Sequence, residues 1–361
     1  MVISRRWMYL LIFVLLGLML ARLSGCAAKG WTSWQAIGLP KVNFNVHALV
    51  FFDERTGYLG GQYNDWSTRR EAHLYRSDDG GHSWRRLPLP ESRLGVQHIT
   101  GRGQDVYVCL GDLYEPSAFL HSPDGGENWT AIRGTEAMVF MSRSNAAMAL
   151  DSTGLLRIGA NNLAPPKAPV LLSHEPSGAW KKTLMPDKAL LMVSEHSALL
   201  LSVNADGDIS EAAYMEDGPT LPLPVPLSHV YSVRGTPGPD RSWWLCGTDD
   251  ADKRQSKIRV LRLRPEGCEL TQFSVNRSGL PTLFTAHSQT FCVTAITSAS
   301  IFGASHVLYV SRDGGAHWQE TAPPFTLIMK PAFQYKEEFY IVSQGNAEFA
   351  RLDFKALDGW F

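Results

Sequence analysis

The sequence lacks the short motifs that carry several common enzyme chemistries. It contains no Gly-x-Ser-x-Gly nucleophile phrase, no His-Glu-x-x-His zinc phrase and no phosphate-binding P-loop. Cys-x-x-Cys pairs and histidine pairs at metal-ligand spacing are also missing, so we expect no metal site and no cofactor. Basic residues do not exceed acidic ones, 34 against 35, which argues against nucleic acid as a partner. No low-complexity tract occurs, and the composition is that of a folded protein.

Cysteine is scarce, with five residues in 361. Cys109, Cys246 and Cys292 each lie inside an apolar run typical of a strand, where cysteine is often buried as a small hydrophobic residue. We therefore expect free buried thiols. A Cys268–Cys292 or a Cys246–Cys292 bridge stays open as an alternative, because an exported protein meets an oxidising compartment.

The first 26 residues have the pattern of an export signal. Arg5 and Arg6 precede an apolar run of 15 residues from Trp7 to Ala21, which is too short to cross a bilayer comfortably. Leu23-Ser24-Gly25-Cys26 resembles a bacterial lipobox, whose cysteine becomes the lipid-bearing first residue of the mature chain. We predict a signal peptide over residues 1–25, Sec export and lipidation at Cys26, with a plain signal anchor as the alternative.

The residue after the lipobox bears on the location of the protein. Ala27 stands where an inner-membrane lipoprotein often carries aspartate, which favours the outer membrane, facing the periplasm, over the inner membrane. Residues 1–25 hold three arginines and no acidic residue, so the remaining chain has 31 basic and 35 acidic residues, a net charge of −4. We expect residues 26–361 to form one domain, since closed all-β folds such as barrels are single units at this length.

One eight-residue phrase, Ser-x-Asp-x-Gly-x-x-Trp, occurs three times, each time after a short apolar run. An Asp-Gly step between extended runs predicts a hairpin turn, because glycine accepts the positive φ of a tight turn. Serine and aspartate can form hydrogen bonds inside the turn, and tryptophan begins the outgoing strand. A calcium site is disfavoured, because each phrase offers one carboxylate at its key position. We predict structural roles for Ser77, Asp79, Gly81, Trp84, Ser122, Asp124, Gly126, Trp129, Ser311, Asp313, Gly315 and Trp318.

This phrase resembles the Asp-box, or BNR, repeat of sialidase-like β-propellers. Degenerate copies of the phrase and Trp34 extend the series. The tryptophans and degenerate turns follow one another at intervals of roughly 40 to 51 residues, which suits four short strands per propeller blade. The segment from Phe52 to Gly61 also resembles the Ycf48/HCF136-like branch of BNR propellers, whose members assist photosystem II assembly. This resemblance implies the fold and the style of repeat, while nothing in the sequence indicates the photosynthetic role. The degenerate copies lie at 173–180, 214–220 and 263–268.

We predict an all-β fold, a seven-bladed β-propeller of four-stranded antiparallel blades, with six or eight blades as alternatives. The last blade lacks an outgoing strand, so the strand around Trp34 is expected to close the ring, since an open ring leaves unpaired strand edges. After the first blade, second strands are expected at Val106–Leu110, Ala147–Leu150, Ala198–Ser202, Trp243–Cys246, Thr290–Thr294 and Glu338–Ser343.

The resemblance to sialidases implies a test for catalysis. Those enzymes bind the substrate carboxylate with three arginines and use a tyrosine nucleophile paired with a glutamate. The phrase Arg86-Leu87-Pro88 resembles the one that carries their first arginine, but it follows the first acidic turn instead of preceding it. We therefore assign no catalytic residue. The other arginines near strands have no diagnostic setting: Arg102, Arg143, Arg157 and Arg234.

Recognition is expected on the face opposite the acidic turns, where loops join second and third strands. The first two such loops carry the residue types that dominate recognition surfaces. We predict a non-catalytic, lipid-anchored envelope protein that binds a protein partner, as an assembly factor, scaffold or immunity-type inhibitor. A glycan-binding protein or a sialidase-like glycoside hydrolase is the alternative. The candidate partner-binding residues are Tyr63, Trp66, Arg69, Arg70 and Tyr114.

Overall fold

The structure is a computed structural model, and it describes most of the chain after residue 30. The segment assigned to the signal peptide and Cys26 lies outside the described residues, as do Trp66, Arg69 and Tyr114. The described residues form strands and connections only, and none of them belongs to a helix long and apolar enough to cross a membrane. The described residues are 31–40, 43–64, 70–111, 117–133, 135, 138–140, 148–162, 169–174, 180–186, 189–215, 220–228, 233–238, 241–249, 257–270, 280–287, 289–300, 303–321, 332–335, 338–342 and 348–353.

These residues form 29 strands in seven antiparallel sheets, which are the blades of the propeller. The first described strand is β1 (Trp31–Gln35). Blade 1 contains β2 (Phe44–Phe51), β3 (Gly57–Asn64), β4 (Arg70–Ser77) and β5 (Arg85–Arg86). Blade 2 contains β6 (Gly95–Arg102), β7 (Asp105–Gly111), β8 (Ala118–Ser122) and β9 (Thr130–Ala131). Blade 3 contains β10 (Met138–Phe140), β11 (Met148–Leu150), β12 (Leu156–Asn162), β13 (Pro169–His174) and β14 (Trp180–Leu184).

The remaining four blades repeat this plan. Blade 4 contains β15 (Ala189–Val193), β16 (Ala198–Val203), β17 (Ile209–Tyr214) and β18 (Thr220–Leu227). Blade 5 contains β19 (Arg234–Pro237), β20 (Trp243–Asp249), β21 (Lys257–Arg264) and β22 (Gly267–Leu270). Blade 6 contains β23 (Leu280–His287), β24 (Thr290–Ser300), β25 (Gly303–Ser311) and β26 (Gln319–Thr321). Blade 7 contains β27 (Ala332–Tyr335), β28 (Glu338–Val342), β29 (Glu348–Asp353) and, as its fourth strand, β1.

The predicted seven blades and the closure by the N-terminal strand are confirmed. One strand was predicted in the wrong place, because Ala147–Leu150 was expected as the second strand of blade 3. Both β10 and β11 pair with β12, so Met148–Leu150 belongs to the first strand and β12 is the second. The chain reverses after Leu150 because the Asp151 carboxylate accepts the N–H groups of Thr153 and Leu155 at 2.8 and 2.9 Å. An apolar run reveals a buried strand but not its rank in the blade.

The alternating strand directions give the ring two distinct faces. Connections from first to second strands and from third to fourth strands lie on one face, which we call the turn face. Connections from second to third strands and from blade to blade lie on the other, the loop face. At five of the seven junctions the first strands of neighbouring blades contact each other, which places them nearest the axis of the ring.

The apolar core is divided among the junctions between blades. The cluster between blades 1 and 2, for example, joins Tyr58 and Leu74 of blade 1 to Val96 and Val108 of blade 2, all fully buried. Each sheet buries both faces against its neighbours, so that burial between blades, and not within one blade, stabilises the fold.

The three acidic turns have the same internal hydrogen bonds. In each, the serine hydroxyl donates to the aspartate at 2.7 to 2.9 Å and accepts the N–H of the second glycine at 2.7 to 2.9 Å. The tryptophan indole donates to the carbonyl of that glycine at 2.9 to 3.1 Å. Hydrogen bonds from the side chain and backbone of Asn128 hold the pKa of Asp124 well below its usual range.

The acidic turns are also tied to the preceding turn of the same blade. The first glycine of each pair, at 80, 125 and 314, donates its N–H at 2.8 to 2.9 Å to a carbonyl in the connection between the first and second strands. The accepting residues are Arg55, Gln104 and Gln289. The repeat thus fixes both connections on the turn face, a tie that the sequence pattern did not indicate.

Ring closure combines strand pairing with aromatic packing. All five residues of β1 pair with β29, with Trp34 opposite Phe349. The Phe349 ring stacks between two indoles, with centroids 5.7 Å from Trp34 and 5.6 Å from Trp84. Both indole N–H groups donate to the same carbonyl, that of Gly81, at 3.1 and 3.0 Å. The last blade is therefore joined to the acidic turn of the first.

The segment after β1 makes a second contact with that turn. Ile37 donates its N–H to the His82 carbonyl at 3.0 Å and accepts the Trp84 N–H at 2.8 Å. Gly38 follows with φ +88, and a Cβ atom at this position would lie 2.0 Å from the Trp84 carbonyl oxygen. Only glycine fits such a close approach of two backbones.

The four cysteines among the described residues are free thiols. Cys109, Cys246 and Cys292 are buried, and burial raises the pKa of each thiol. The predicted buried thiols are thus confirmed, and neither alternative bridge, Cys268–Cys292 or Cys246–Cys292, is formed.

A glycine pair tests the closure contact. Gly38→Ala should destabilise the protein more than Gly207→Ala, although both glycines have φ +88, because a Cβ at Gly207 meets no atom within 4 Å. The strain of positive φ alone should cost about 1 to 2 kcal/mol in Gly207→Ala. Urea denaturation of the two purified variants measures the difference. Equal losses would show that the approach of residues 37–38 to the first acidic turn does not hold the ring closed.

Candidate partner-binding groove on blade 1

A cleft opens along the outer edge of blade 1 because β5 is short. β5 pairs with β4 only at Arg85 and Arg86, and beyond it the chain forms an arch over residues 87–92. The arch is fixed at both ends to β4, through the Leu87 N–H to the Leu74 carbonyl at 2.9 Å and the Ala72 N–H to the Ser92 carbonyl at 3.1 Å. The open groove between β4 and the arch has a volume of about 790 Å³ and is lined by Arg70, Glu71, Ala72, Arg86, Leu89, Pro90, Glu91, Ser92 and Arg93.

The groove is lined by three guanidinium groups and two carboxylates. Arg70, Arg86 and Arg93 are exposed, and Arg86 lies 3.5 Å from the Glu71 carboxylate. Guanidinium groups bind carboxylates through paired hydrogen bonds of fixed geometry. The excess of one positive charge, together with the apolar surface of Leu89 and Pro90, suits an acidic protein segment.

A series of hydrogen-bonded side chains, Tyr75, His73 and Glu71, lies beside the groove on the side of blade 1 that faces blade 7. His73 is hydrogen-bonded through Nδ1 to the Tyr75 hydroxyl at 3.0 Å and through Nε2 to Glu71 at 3.3 Å. The Tyr63 ring stacks on His73 with an interplanar angle of 6°, and Phe44 packs against both His73 and Tyr75. These hydrogen bonds fix the position of Glu71, which in turn pairs with Arg86.

The pKa shifts of Tyr75 and His73 are not those of an activated nucleophile and its base. Burial raises the pKa of Tyr75 to about 12, against the opposing effect of Arg86, and the residue is 3% exposed. Burial also lowers the pKa of His73, followed in size by the repulsion from Arg86, so this histidine is held neutral. A nucleophile is activated by a lowered pKa or by an accessible base. The arrangement instead supports binding by the arginines above it.

Two of the five predicted partner-binding residues lie at the loop-face end of the groove region. Tyr63 and Arg70 stand on the paired ends of β3 and β4, where Asn64 is opposite Arg70, and Arg70 lines the groove. Trp66, Arg69 and Tyr114 lie outside the described residues.

Several groove residues were missed at the level of sequence. The sequence pattern relates Arg86 only to the sialidase arginines and predicts no role for Glu91 or Arg93, which line the groove. The available signal was the repeated Leu-Pro-Leu-Pro run after Trp84, followed directly by a charged segment. That pattern marks a connection that leaves the sheet early.

The arginines weighed against the sialidase pattern are dispersed. Arg102 and Arg157 lie at the turn face, where they donate to the carbonyls of Ser152 and Glu195 at 3.2 and 3.0 Å. Arg234 begins β19 at the loop face and donates to the neighbouring Val233 carbonyl. Arg143 lies outside the described residues. The described arginines of this set therefore do not converge on one ligand position.

The class of protein is defined by these features: a seven-bladed, all-β propeller with a mixed-charge groove beside its loop face. Within the part of the chain that the structure describes, no group of three His, Cys, Asp or Glu residues could hold a metal ion. No protein-family model matches this chain.

Comparison with known proteins gives one curated relative and several similar structures. The photosystem II assembly lipoprotein Ycf48 of Synechococcus sp. (strain CC9902) is 32% identical over 118 residues, which is 30% of this chain and 32% of that protein. The match therefore spans about a third of the length of the relative. A solved structure of YCF48 bound to D1 peptide aligns with a TM-score of 0.57 and 16% identity, covering 90% of this chain and 96% of that one.

An enzyme has the same architecture. A catalytically inactive virginiamycin B lyase from Staphylococcus aureus with quinupristin aligns with a TM-score of 0.60 and 10% identity, covering 89% of this chain and 98% of that one. At such identities the likeness shows the propeller fold alone, and propellers of this fold carry unrelated functions.

The buried His73 makes the folding stability of the protein depend on pH. Because burial lowers the pKa of His73, the unfolded chain binds a proton more readily than the folded one as the pH falls below about 6.5. Folding stability should therefore decline on acidification through this range, by at most about 1.4 kcal/mol per pH unit for one proton. His73→Gln should have a shallower decline in urea denaturation. The exposed His196→Gln is the control, and an unchanged slope in His73→Gln would contradict the burial argument.

Proposed function

We propose that this chain is a lipid-anchored propeller of the bacterial cell envelope that binds another protein through the groove on blade 1. It serves as an assembly factor, scaffold or inhibitor and not as an enzyme. The observation that carries the proposal is the groove itself, with Arg70, Arg86 and Arg93 converging on one cleft between β4 and the arch.

The charge pattern favours a protein over other polymers. A mature net charge of −4 disfavours polyanions, whereas a local cluster of arginines can still bind single carboxylates. Glu71 and Glu91 at the rim repel a run of phosphates but accommodate a segment that carries one or two acidic residues among neutral ones. Mixed charge at an interface selects a partner more than it raises affinity.

The comparisons support the same proposal. The relative that matches over 118 residues is an assembly lipoprotein, and the YCF48 structure with a similar fold was solved with a bound peptide. The lipobox-like Leu23-Ser24-Gly25-Cys26 supports anchoring at Cys26. Against catalysis stand the raised pKa and deep burial of Tyr75, which remove this tyrosine from nucleophilic chemistry.

Charge reversal in the groove tests the binding part of the proposal. The full-length protein, extracted from membranes in mild detergent, is compared with Arg70→Glu/Arg86→Glu/Arg93→Glu by cross-linking and quantitative mass spectrometry of captured envelope proteins. The variant should lose its specific partner by at least about tenfold, and the wild-type interaction should weaken with salt, since these charges lie at the surface.

The matched control reverses three exposed cations elsewhere, in Arg133→Glu/Lys181→Glu/Lys182→Glu, and should capture the same partner as the wild type. Equal capture by the groove variant would reject the groove as the binding site. Turnover of a sialoside or another glycoside by the purified wild-type protein would reject the non-catalytic assignment.

A second variant tests the anchor. Cys26→Ala should move the protein from the membrane fraction to the soluble fraction and abolish incorporation of an alkyne-labelled fatty acid, because the acyl chains are the proposed membrane contact. Cys268→Ala, a half-buried cysteine in blade 5, should leave both readouts unchanged. Retention of Cys26→Ala in the membrane without label would show that another segment anchors the chain.

A further inference from the structure

Among the first strands that the structure describes, those of three blades carry one extra residue, and these blades are the ones that carry an intact acidic turn. In blade 1 the register between β2 and β3 shifts at His47, between Val46 and Ala48. In blade 2 it shifts at Gln97, between Val96 and His98, and in blade 6 it shifts at Thr282. These positions are β-bulges in the strands nearest the axis. Bulges are enriched beside binding sites, where they redirect side chains.

The bulges remove two polar residues from the apolar faces of their sheets. Val46 packs in the cluster between blades 7 and 1, whereas Ala48 packs in the cluster between blades 1 and 2. In a regular strand, residues two apart share one face, so the bulge at His47 is what separates them. In β6, Val96 and Ile99 share one cluster although they are three residues apart, with Gln97 between them.

The redirected side chains converge with a third one around Gly95. Gln97 Nε2 lies 3.1 Å from His47 Nδ1 and donates to the Gly111 carbonyl at 2.9 Å. A Cβ atom on Gly95 would lie 3.0 Å from the Gln62 Cβ and 3.1 Å from His47 Nδ1, so that any larger residue would press on both. We call His47, Gln62 and Gln97 the amide shelf. It occupies the loop-face half of β2, β3 and β6.

The amide shelf adjoins the groove. Gln62 Nε2 donates to the Arg93 carbonyl at 2.8 Å, and the Arg93 side chain lines the groove. Both glutamines use their amide nitrogens on the protein, while their Oε1 atoms have no hydrogen-bond partner among the described residues. Both side chains are half-buried. The shelf therefore offers two acceptors, each held in place by the hydrogen bonds of its own amide nitrogen, to which a ligand can donate N–H groups.

We propose that the amide shelf is a second part of the recognition site and binds main-chain N–H groups of an extended partner segment whose acidic residue lies in the arginine groove. The inference rests on the proposed protein-binding function and deepens it by assigning the chemistry of the bound segment. A carboxylate or phosphate would face two acceptor oxygens on the shelf and is disfavoured there. A cationic segment is disfavoured by the arginines next to it. An acidic segment with free backbone amides satisfies both parts.

The test uses wild-type protein and an array of short acidic peptides, with the best binder resynthesised with single backbone N-methyl groups. N-methylation removes one N–H donor at a time. One or two positions beside the acidic residue should lower wild-type affinity by at least about tenfold, as expected when a buried acceptor loses its donor. The same N-methylated peptides should bind Gln62→Leu/Gln97→Leu as the unmodified peptide does, because the acceptors are gone.

The control is Gln104→Leu/Gln289→Leu, two exposed glutamines on the turn face, which should behave as wild type. Gln62→Leu alone, which leaves the contact between Gln97 and His47 intact, serves if the double variant does not fold. If N-methylation lowers the affinity of wild type and variant equally, the amide shelf does not bind the peptide backbone. The proposed function would still stand in that case, provided that peptide binding depends on Arg70, Arg86 and Arg93. If no peptide binds in a manner that depends on those arginines, the proposed function itself fails.

Discussion

The whole ring depends on the contact that joins its two ends. β1 completes blade 7, and Phe349 is held between Trp34 of that strand and Trp84 of blade 1. A propeller buries its apolar surface between blades, so one open junction exposes two sheet faces and leaves β29 with an unpaired edge. Because a single carbonyl, that of Gly81, accepts both indole N–H groups, the closure and the first acidic turn form one unit.

The two faces of the ring use their polar groups differently. On the turn face, side chains link successive blades, as in the bond from Trp243 to the Ser197 hydroxyl at 2.8 Å and from the Tyr58 hydroxyl to the Gly125 carbonyl at 3.3 Å. Beside the loop face, the arch of blade 1 leaves a cleft with exposed arginines. The hydrogen-bonded turn face thus supports the loop face, which is the usual division between scaffold and binding loops.

The features that sequence analysis could predict are those encoded locally. Most hydrogen bonds of each acidic turn lie within its eight residues, so the pattern shows where three of the blades lie. The spacing of the intact and degenerate copies then indicates seven blades. The groove could not be predicted from the sequence, because it forms where β5 ends. The length of β5 depends on its pairing with β4, which the sequence pattern does not show. The shelf could not be predicted for a similar reason, since His47 and Gln97 are 50 residues apart and meet only after two bulges shift the register. The rank of Met148–Leu150 was likewise decided by pairing with β12, not by its apolar composition.

The direction of β1 fixes how the molecule would stand on a membrane. Fourth strands run from the turn face towards the loop face, so Trp31, the first residue of β1, lies at the turn-face end of blade 7. With the lipid proposed at Cys26, the five residue steps to Trp31 span at most about 18 Å. Such a short tether would orient the turn face towards the bilayer surface and keep the arginine groove and the shelf pointing away from it. The partner segment would then be approached from the aqueous side, clear of the headgroups.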